Sequence, residues 1–348
     1  MIWTLPHLVA GTMVLSITAY VLLAGADFGG GVWDLLATGP RKDEQRALIA
    51  NAIGPVWEAN HVWLILVVVM LFSCFPAAFA HLSTELHVPL TLMLVGIVLR
   101  GSAFTFRAYD RKDDVVQHRW GLIFSVASVL TPVLLGICVG TVAAGNVPLY
   151  QSPEAAVIAA PTFVARYVSP WWKPFPISVG VLTLTLFSLL AATYLTVEAQ
   201  QPETRDGFRT RALGASVAVA VAALVAALLA QRDAPLVFAA LTRGVRAIVL
   251  LSVTTVFALS AIVSLWKRWF QLARVAVAAE ATFLVWGWAW SQYPFMLPPT
   301  HTIDSLAAPR ATLLWVLGTL VAGTLILLPS FFYLFRIFKR GEALELEH

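Results

Sequence analysis

Two carboxylic acids and a guanidinium, Asp27, Glu58 and Arg100, stand inside the first three strongly apolar stretches of this 348-residue chain. A charge within a bilayer costs about 3 kcal/mol or more, so it persists where it is paired or where ions or protons move. Two chemistries follow. The groups can pair and hold helices together, with Arg100 reaching toward the nearer surface. Alternatively they line a hydrated proton path, in which neighbouring carboxylates share protons and titrate as a unit. The setting of each acid is unusual. Gly25-Ala26-Asp27-Phe28-Gly29-Gly30-Gly31 puts four glycines around one carboxylate, which allows close helix approach or a local break. Pro55-Val56-Trp57-Glu58-Ala59-Asn60-His61-Val62-Trp63 gathers an acid, an amide, an imidazole and two indoles into about two helical turns. Asn60 follows Trp57 by three residues and His61 follows Glu58 by three, so each pair can share a helix face. Glu280 is a further, isolated acid in a later apolar stretch, open to a hydrogen bond with a neighbouring helix or to a proton role.

The elements that must hold these groups are membrane helices. Hydrophobic residues make up 59% of the chain and charged ones 12%, against about 25% charged in soluble domains. Stretches of spanning length with few charges occur nine times, over 8–36, 56–80, 84–107, 120–145, 174–198, 212–230, 245–266, 272–292 and 311–336. Lys and Arg gather in alternate loops: Arg41, Lys42 and Arg46, then Arg107, Arg111, Lys112 and Arg119, then Arg205, Arg209 and Arg211, then Lys267, Arg268 and Arg274, and the tail Arg336, Lys339 and Arg340. That asymmetry predicts an outside N-terminus and a cytoplasmic C-terminus, which an odd number of spans satisfies. No Lys or Arg precedes the first apolar stretch, so it reads as a retained helix rather than a secretory leader. On this topology Asp27, Glu58 in the first turn of its span, and Arg100 all lie within about 15 Å of the cytoplasmic surface. Antiparallel neighbours about 8–10 Å apart can join them in one network.

The expected fold is all-α, a polytopic membrane protein of two four-helix bundles plus one peripheral helix. Residues 1–145 form the first bundle, 146–172 an extracytoplasmic loop, 173–292 the second bundle, and 293–348 a loop, the ninth helix and a cytoplasmic tail. Pro148, Pro153, Pro161 and Pro170 predict irregular structure in the long loop, and Trp171-Trp172 suit an interfacial belt. Tyr20 before Asp27 and Tyr194 before Glu198 are a faint echo between the halves. The net charge of +4 comes without a dense basic run interleaved with aromatics, so no nucleic-acid partner is expected. Cys74 and Cys138 fall inside spans and imply neither a disulfide framework nor a metal cluster.

Four strings resemble subunit II of the cytochrome bd-type quinol oxidases: GADFGGGVWDLL at 25–36, AIGPVWEANHVWLI at 52–65, LRGSAFTFR at 99–107 and WGWAWSQYP at 286–294. The first two are specific, and the likeness runs through most of the chain in order and spacing. It implies a haem-free partner of a haem-bearing subunit I, in a bacterial inner-membrane complex of the aerobic respiratory chain. That complex oxidises quinol, reduces dioxygen to water and takes its protons from the cytoplasm, so its turnover is electrogenic. Haem b and haem d would belong to subunit I, with no cofactor bound directly here and no catalysis by this chain alone. Small single-helix accessory subunits, and a structural quinone or lipid between helices, are compatible with it. Carried over by position, Glu58 and Asp27 would belong to the proton path and Trp63 would border an oxygen route. Trp57, Asn60 and His61 would support the polar cluster, and Arg100 would balance charge. Some relatives have aspartate in place of Glu58 and glycine in place of Ala59. The chain is more similar to the shorter, cyanide-insensitive branch than to the longer one.

Other classes remain open to the residues alone. Haem iron needs ligands on facing helices, and His61, His81 and His87 offer no pair at one expected depth. A secondary transporter would suit the helix count and buried acids, yet its key groups would sit near the midplane with a broken helix in each half. A purely structural subunit would use the charges to bind partner helices. Replacing Glu58 by Gln separates these: lost turnover in an intact complex means proton delivery, and lost assembly means structure.

Overall fold

The computed structural model describes residues 4–109, 114–147, 155, 158–160 and 162–345; at 54–58, 107–109, 114–118, 328, 331–332 and 334–345 it describes the backbone alone. Apolar sequence and the absence of water leave the backbone no partners but its own, so the described chain is almost entirely helical. The elements are α1 (Leu5–Leu35), α2 (Lys42–Cys74), α3 (Pro76–Glu85), α4 (His87–Tyr109), α5 (Asp114–Ala143), α6 (Phe163–Tyr167), α7 (Pro174–Glu198), α8 (Pro202–Asp233), α9 (Pro235–Thr242), α10 (Val245–Trp266), α11 (Phe270–Gln292) and α12 (Arg310–Glu345). A short antiparallel hairpin, β1 (Phe295–Leu297) with β2 (His301–Thr302), precedes α12. Eight of the described helices are long and apolar enough to cross a membrane, and a bent pair, α2 from Ala59 with α3, has the same length and composition when taken together.

That bent pair departs from the single straight helix expected over 56–80. Helix α2 ends at Cys74, Phe75 leaves helical geometry, and α3 starts at Pro76 at an angle of 116°. Proline is well placed there, because a first-turn residue has no helical partner for an N–H. Helix α2 also begins at Lys42, so Glu58 lies about four turns into it rather than in the first turn. The long loop is not wholly irregular either. It holds α6, whose Thr162 side chain accepts from the Ala165 N–H at 3.1 Å, and Arg166 donates to the buried Glu85 at 3.0 Å.

Helix α1 is the axis of the packing, in contact with α2, α5, α7 and α11. From Ala24 to Asp34 every residue except Ala26 is buried. This explains the glycines, and it settles them as close-approach sites in an unbroken helix. A Cβ at Gly25 or Gly29 would strike α7, one at Gly30 would strike Ile53 of α2, and one at Gly31 would overlap the Ser128 hydroxyl of α5. The Trp33 indole N–H then donates to the Ser188 carbonyl at 2.8 Å, tying α1 to α7. Around this axis lies the main apolar core, with Phe28, Phe187, Leu189, Leu195, Phe208 and Val277 all fully buried. Helix α12 is peripheral, with only 6% of its apolar window buried.

Candidate functional site

Asp27 is fully buried on α1 and Arg100 is 1% exposed on α4. The two meet in a fork-to-fork pair: Arg100 Nη1 donates to Asp27 Oδ2 at 2.6 Å and Nη2 to Oδ1 at 2.5 Å. Nη2 also reaches the Asp27 carbonyl at 3.0 Å, and Nε donates to Ser128 Oγ of α5 at 2.9 Å. Asn60 of α2 closes the ring, its Nδ2 donating to Asp27 Oδ2 at 2.6 Å. The guanidinium is sandwiched between the rings of Phe28 and Phe124, 4.6 and 4.7 Å from its central carbon. Four helices thus converge on one buried, neutral centre.

Such a centre has no slack. A guanidinium presents its donors in a rigid fork that matches a carboxylate, and the aromatic faces add cation–π attraction. Both Asp27 oxygens accept from side-chain N–H donors, two on Oδ2 and one on Oδ1. One polar atom is left over: among the described residues Asn60 Oδ1 is buried without a hydrogen-bond partner.

The structure brings Asp27, Asn60 and Arg100 together as their spacing suggests. The Glu58 and Trp57 side chains lie outside the described residues. His61 is half-buried on α2, and Trp63 packs against the main core from the same helix. Glu280 is buried on α11. The echo between the halves leads elsewhere, since Tyr194 lies 4.9 Å beneath the Arg274 guanidinium. The other histidines have structural surroundings. His87 Nδ1 lies 2.9 Å from the Thr84 carbonyl and its ring meets Tyr167 edge-on, while His81 is 6.4 Å from His301 of the hairpin. Among the described residues, no group of three or more His, Cys, Asp or Glu could hold a metal ion.

Four members of the site were not among the expected residues: Phe28, Phe124, Ser128 and, one layer further, Asp34. Asp34 stands seven residues after Asp27, a spacing that keeps both on one helix face, and this signal was available in the sequence. Ser128 carries no such signal, because a lone serine in a membrane helix commonly bonds its own backbone.

Among the described residues, eight helices of spanning length and one bent pair, with a charged centre buried against the first helix, define a polytopic membrane protein. Residues 5–338 match the family model for cytochrome bd terminal oxidase subunit II, and the chain belongs to that family. It is 24% identical over 332 residues to the Bacillus subtilis (strain 168) protein named "Putative cytochrome bd menaquinol oxidase subunit II", covering 93% of this chain and 92% of the relative. It is 26% identical over 206 residues to the cytochrome bd-I ubiquinol oxidase subunit 2 of Escherichia coli (strain K12), covering 58% of this chain and about half (52%) of that relative. The solved bd oxidase of Geobacillus thermodenitrificans shares the fold, with a TM-score of 0.77 and 21% identity over 96% of this chain and 98% of that one.

Proposed function

We propose that this chain is the haem-free subunit of a quinol-oxidising, dioxygen-reducing bd-type complex, and that it supplies a route for cytoplasmic protons to the haem-bearing subunit I. The observation that carries this reading is the Asp27–Arg100–Asn60 centre, a charged, hydrogen-bonded cluster buried inside a membrane bundle. Its donors and acceptors are polarised by a fixed ion pair and leave one interior carbonyl, Asn60 Oδ1, for a water or a proton carrier. Asp27 is held in place by three side-chain N–H donors, and in this reading Glu58 is the acid that takes up and releases the proton. Asp27 and Arg100 provide the fixed charge beside the path.

The face of α2 that carries Val62 and Ile65 is open, with these residues 48% and 61% exposed. In this reading that face meets subunit I, and Trp63 beside it borders the oxygen route. Haem b and haem d belong to subunit I and supply the electron transfer. The segments 1–145 and 173–292 act as two four-helix bundles, with the N-terminus outside and the C-terminus in the cytoplasm. Accessory helices, a structural quinone or a lipid would sit on the outer faces of this frame.

Glu58→Gln in the intact complex is the test. The expected result is a loss of quinol oxidase turnover of at least about tenfold, with the haem absorption bands and subunit ratio unchanged. Normal turnover, or loss of the bands, removes the proton role.

A further inference from the structure

Among the described residues, Arg211 near the start of α8 is a cation with no carboxylate partner. Its guanidinium carbon lies 5.0 Å from the ring of Phe208 and 5.6 Å from that of Trp33 of α1. Its Nη2 donates to Gln45 Oε1 of α2 at 2.7 Å, while Nε and Nη1 make no hydrogen bond there. The acids close to it in the chain are engaged elsewhere. Asp206 pairs with Arg209 and Arg268, and Glu44 accepts from Thr204. Arg211 lines a cavity of about 240 Å³ together with Thr38, Arg41, Gln45, Glu203 and Gly207. Glu203 is the one acid on that wall, and it stands 4.0 Å from Arg41 in an exposed pair. The wall therefore carries one positive charge in excess. Gly207 also opens a stripe along α8. Gly207, Gly214, Val217, Val221, Leu224 and Leu228 follow one another by three, four or seven residues, so they share a helix face. The four apolar side chains are 57–61% exposed, and at Gly207 and Gly214 nothing lies within 4 Å of a built Cβ.

We propose that this cavity and stripe bind one anionic phospholipid, its phosphate at Arg211 and Arg41 and its acyl chains along α8. Charge selects the headgroup. A guanidinium fork matches phosphate oxygens, and a basic pocket between membrane helices at their cytoplasmic ends suits an anionic headgroup. The cavity is several times the share of about 30 Å³ that a water takes, so a phosphate fits with its waters. Length selects the tails. The chains of one leaflet cover about half of a hydrocarbon core about 30 Å thick, which at about 1.5 Å per residue is the rise from Gly207 to Val217. The absent side chains at Gly207 and Gly214 let an acyl chain lie against the backbone directly beyond the headgroup. A partner helix on this stripe would have to bring its own acid into the cavity. Bound there, the lipid joins the turn between α1 and α2 to α8 and stabilises the assembled subunit. The site is separate from the proton reading and rests only on the membrane-spanning frame.

The test uses the detergent-purified complex after its bound lipid has been removed. It is titrated with dioleoyl phosphatidylglycerol, dioleoyl phosphatidylcholine or inorganic phosphate, and followed by thermal melting and native mass spectrometry. Phosphatidylglycerol is expected to stay bound and to raise the melting temperature by several degrees, while the other two leave it unchanged. Arg211→Gln is expected to weaken the apparent affinity for phosphatidylglycerol about fivefold. Gly207→Leu, which fills the cavity from a position with open space around it, is expected to weaken it as well. Equal stabilisation by phosphatidylcholine makes the stripe an unselective apolar face and overturns the site. Stabilisation by inorganic phosphate alone makes it an anion site without a lipid, and overturns it too. A lower melting temperature in Arg211→Gln with an undiminished phosphatidylglycerol effect makes Arg211 a brace and removes its headgroup role. Absence of any bound lipid is the result that a partner chain on the stripe would give, and it overturns the proposal. If Arg211→Gln fails to assemble, Gly207→Leu decides: an undiminished effect overturns the site, and a loss supports it.

Discussion

Arg100 makes its bonds to Asp27 and Ser128 while 1% exposed, so neither member of the ion pair can be removed alone without leaving a buried charge. Breaking a buried pair from one side typically costs about 3–5 kcal/mol, while replacing both partners by neutral groups costs far less. Asp27→Asn and Arg100→Gln are each expected to lower the yield and melting temperature of the assembled complex sharply. The double variant is expected to recover a large part of both. Equal losses in the single and double variants would mean that the pair contributes little. This is also why Glu58→Gln, rather than Asp27→Asn, is the cleaner probe of proton transfer: loss of function at Asp27 conflates the proton with the fold.

At the scale of elements, α1 owes its central place to what its glycines lack. The Phe187 carbonyl of α7 occupies the volume that a side chain at Gly29 would need, so Gly29→Ala has to push two backbones apart. A destabilisation of about 1–3 kcal/mol is expected, as for other overpacked cores. Gly11, on the same helix, has nothing within 4 Å of a built Cβ. Gly11→Ala should therefore be neutral or stabilise by up to about 1 kcal/mol through helix propensity. Thermal melting of the complex measures both, and equal effects at the two positions would refute the close-approach account. The same packing brings Ser128 of α5 against α1, since Gly31 admits it where alanine would exclude it.

For the whole molecule, orientation is the property that gives the centre its direction. Arg41, between α1 and α2, and Trp172, before α7, stand on opposite sides in the proposed topology, and the side chain of Arg41 is 49% exposed while Trp172 is 65% exposed. Single cysteines at these positions, in a background with Cys74 and Cys138 replaced by Ser, should react differently with a membrane-impermeant thiol reagent. Trp172→Cys is expected to label from outside intact cells and Arg41→Cys only after lysis. The reverse pattern would invert the topology.

The sequence by itself determined the class, the positions of eight helices of spanning length, and the residues Asp27, Asn60 and Arg100. Hydropathy and the rarity of buried charge are one-dimensional signals, and they survive without coordinates. The spans over 174–198 and 245–266 coincide with α7 and α10 for that reason. The family motifs were legible for the same reason, as strings of fixed order. Only the tertiary structure decided which helices meet. It showed that the four glycines serve three different neighbours, that Arg100 grips Asp27 with both nitrogens, and that Ser128 and Phe124 complete the centre from α5. It also showed the sharp bend at Phe75, where a chain still apolar by composition turns away from the line of α2. Contacts between helices depend on the azimuth of each side chain about its own axis and on which helix lies there. A single apolar sequence leaves that choice open, because in a lipid-like medium nearly every face of such a helix is equally at home.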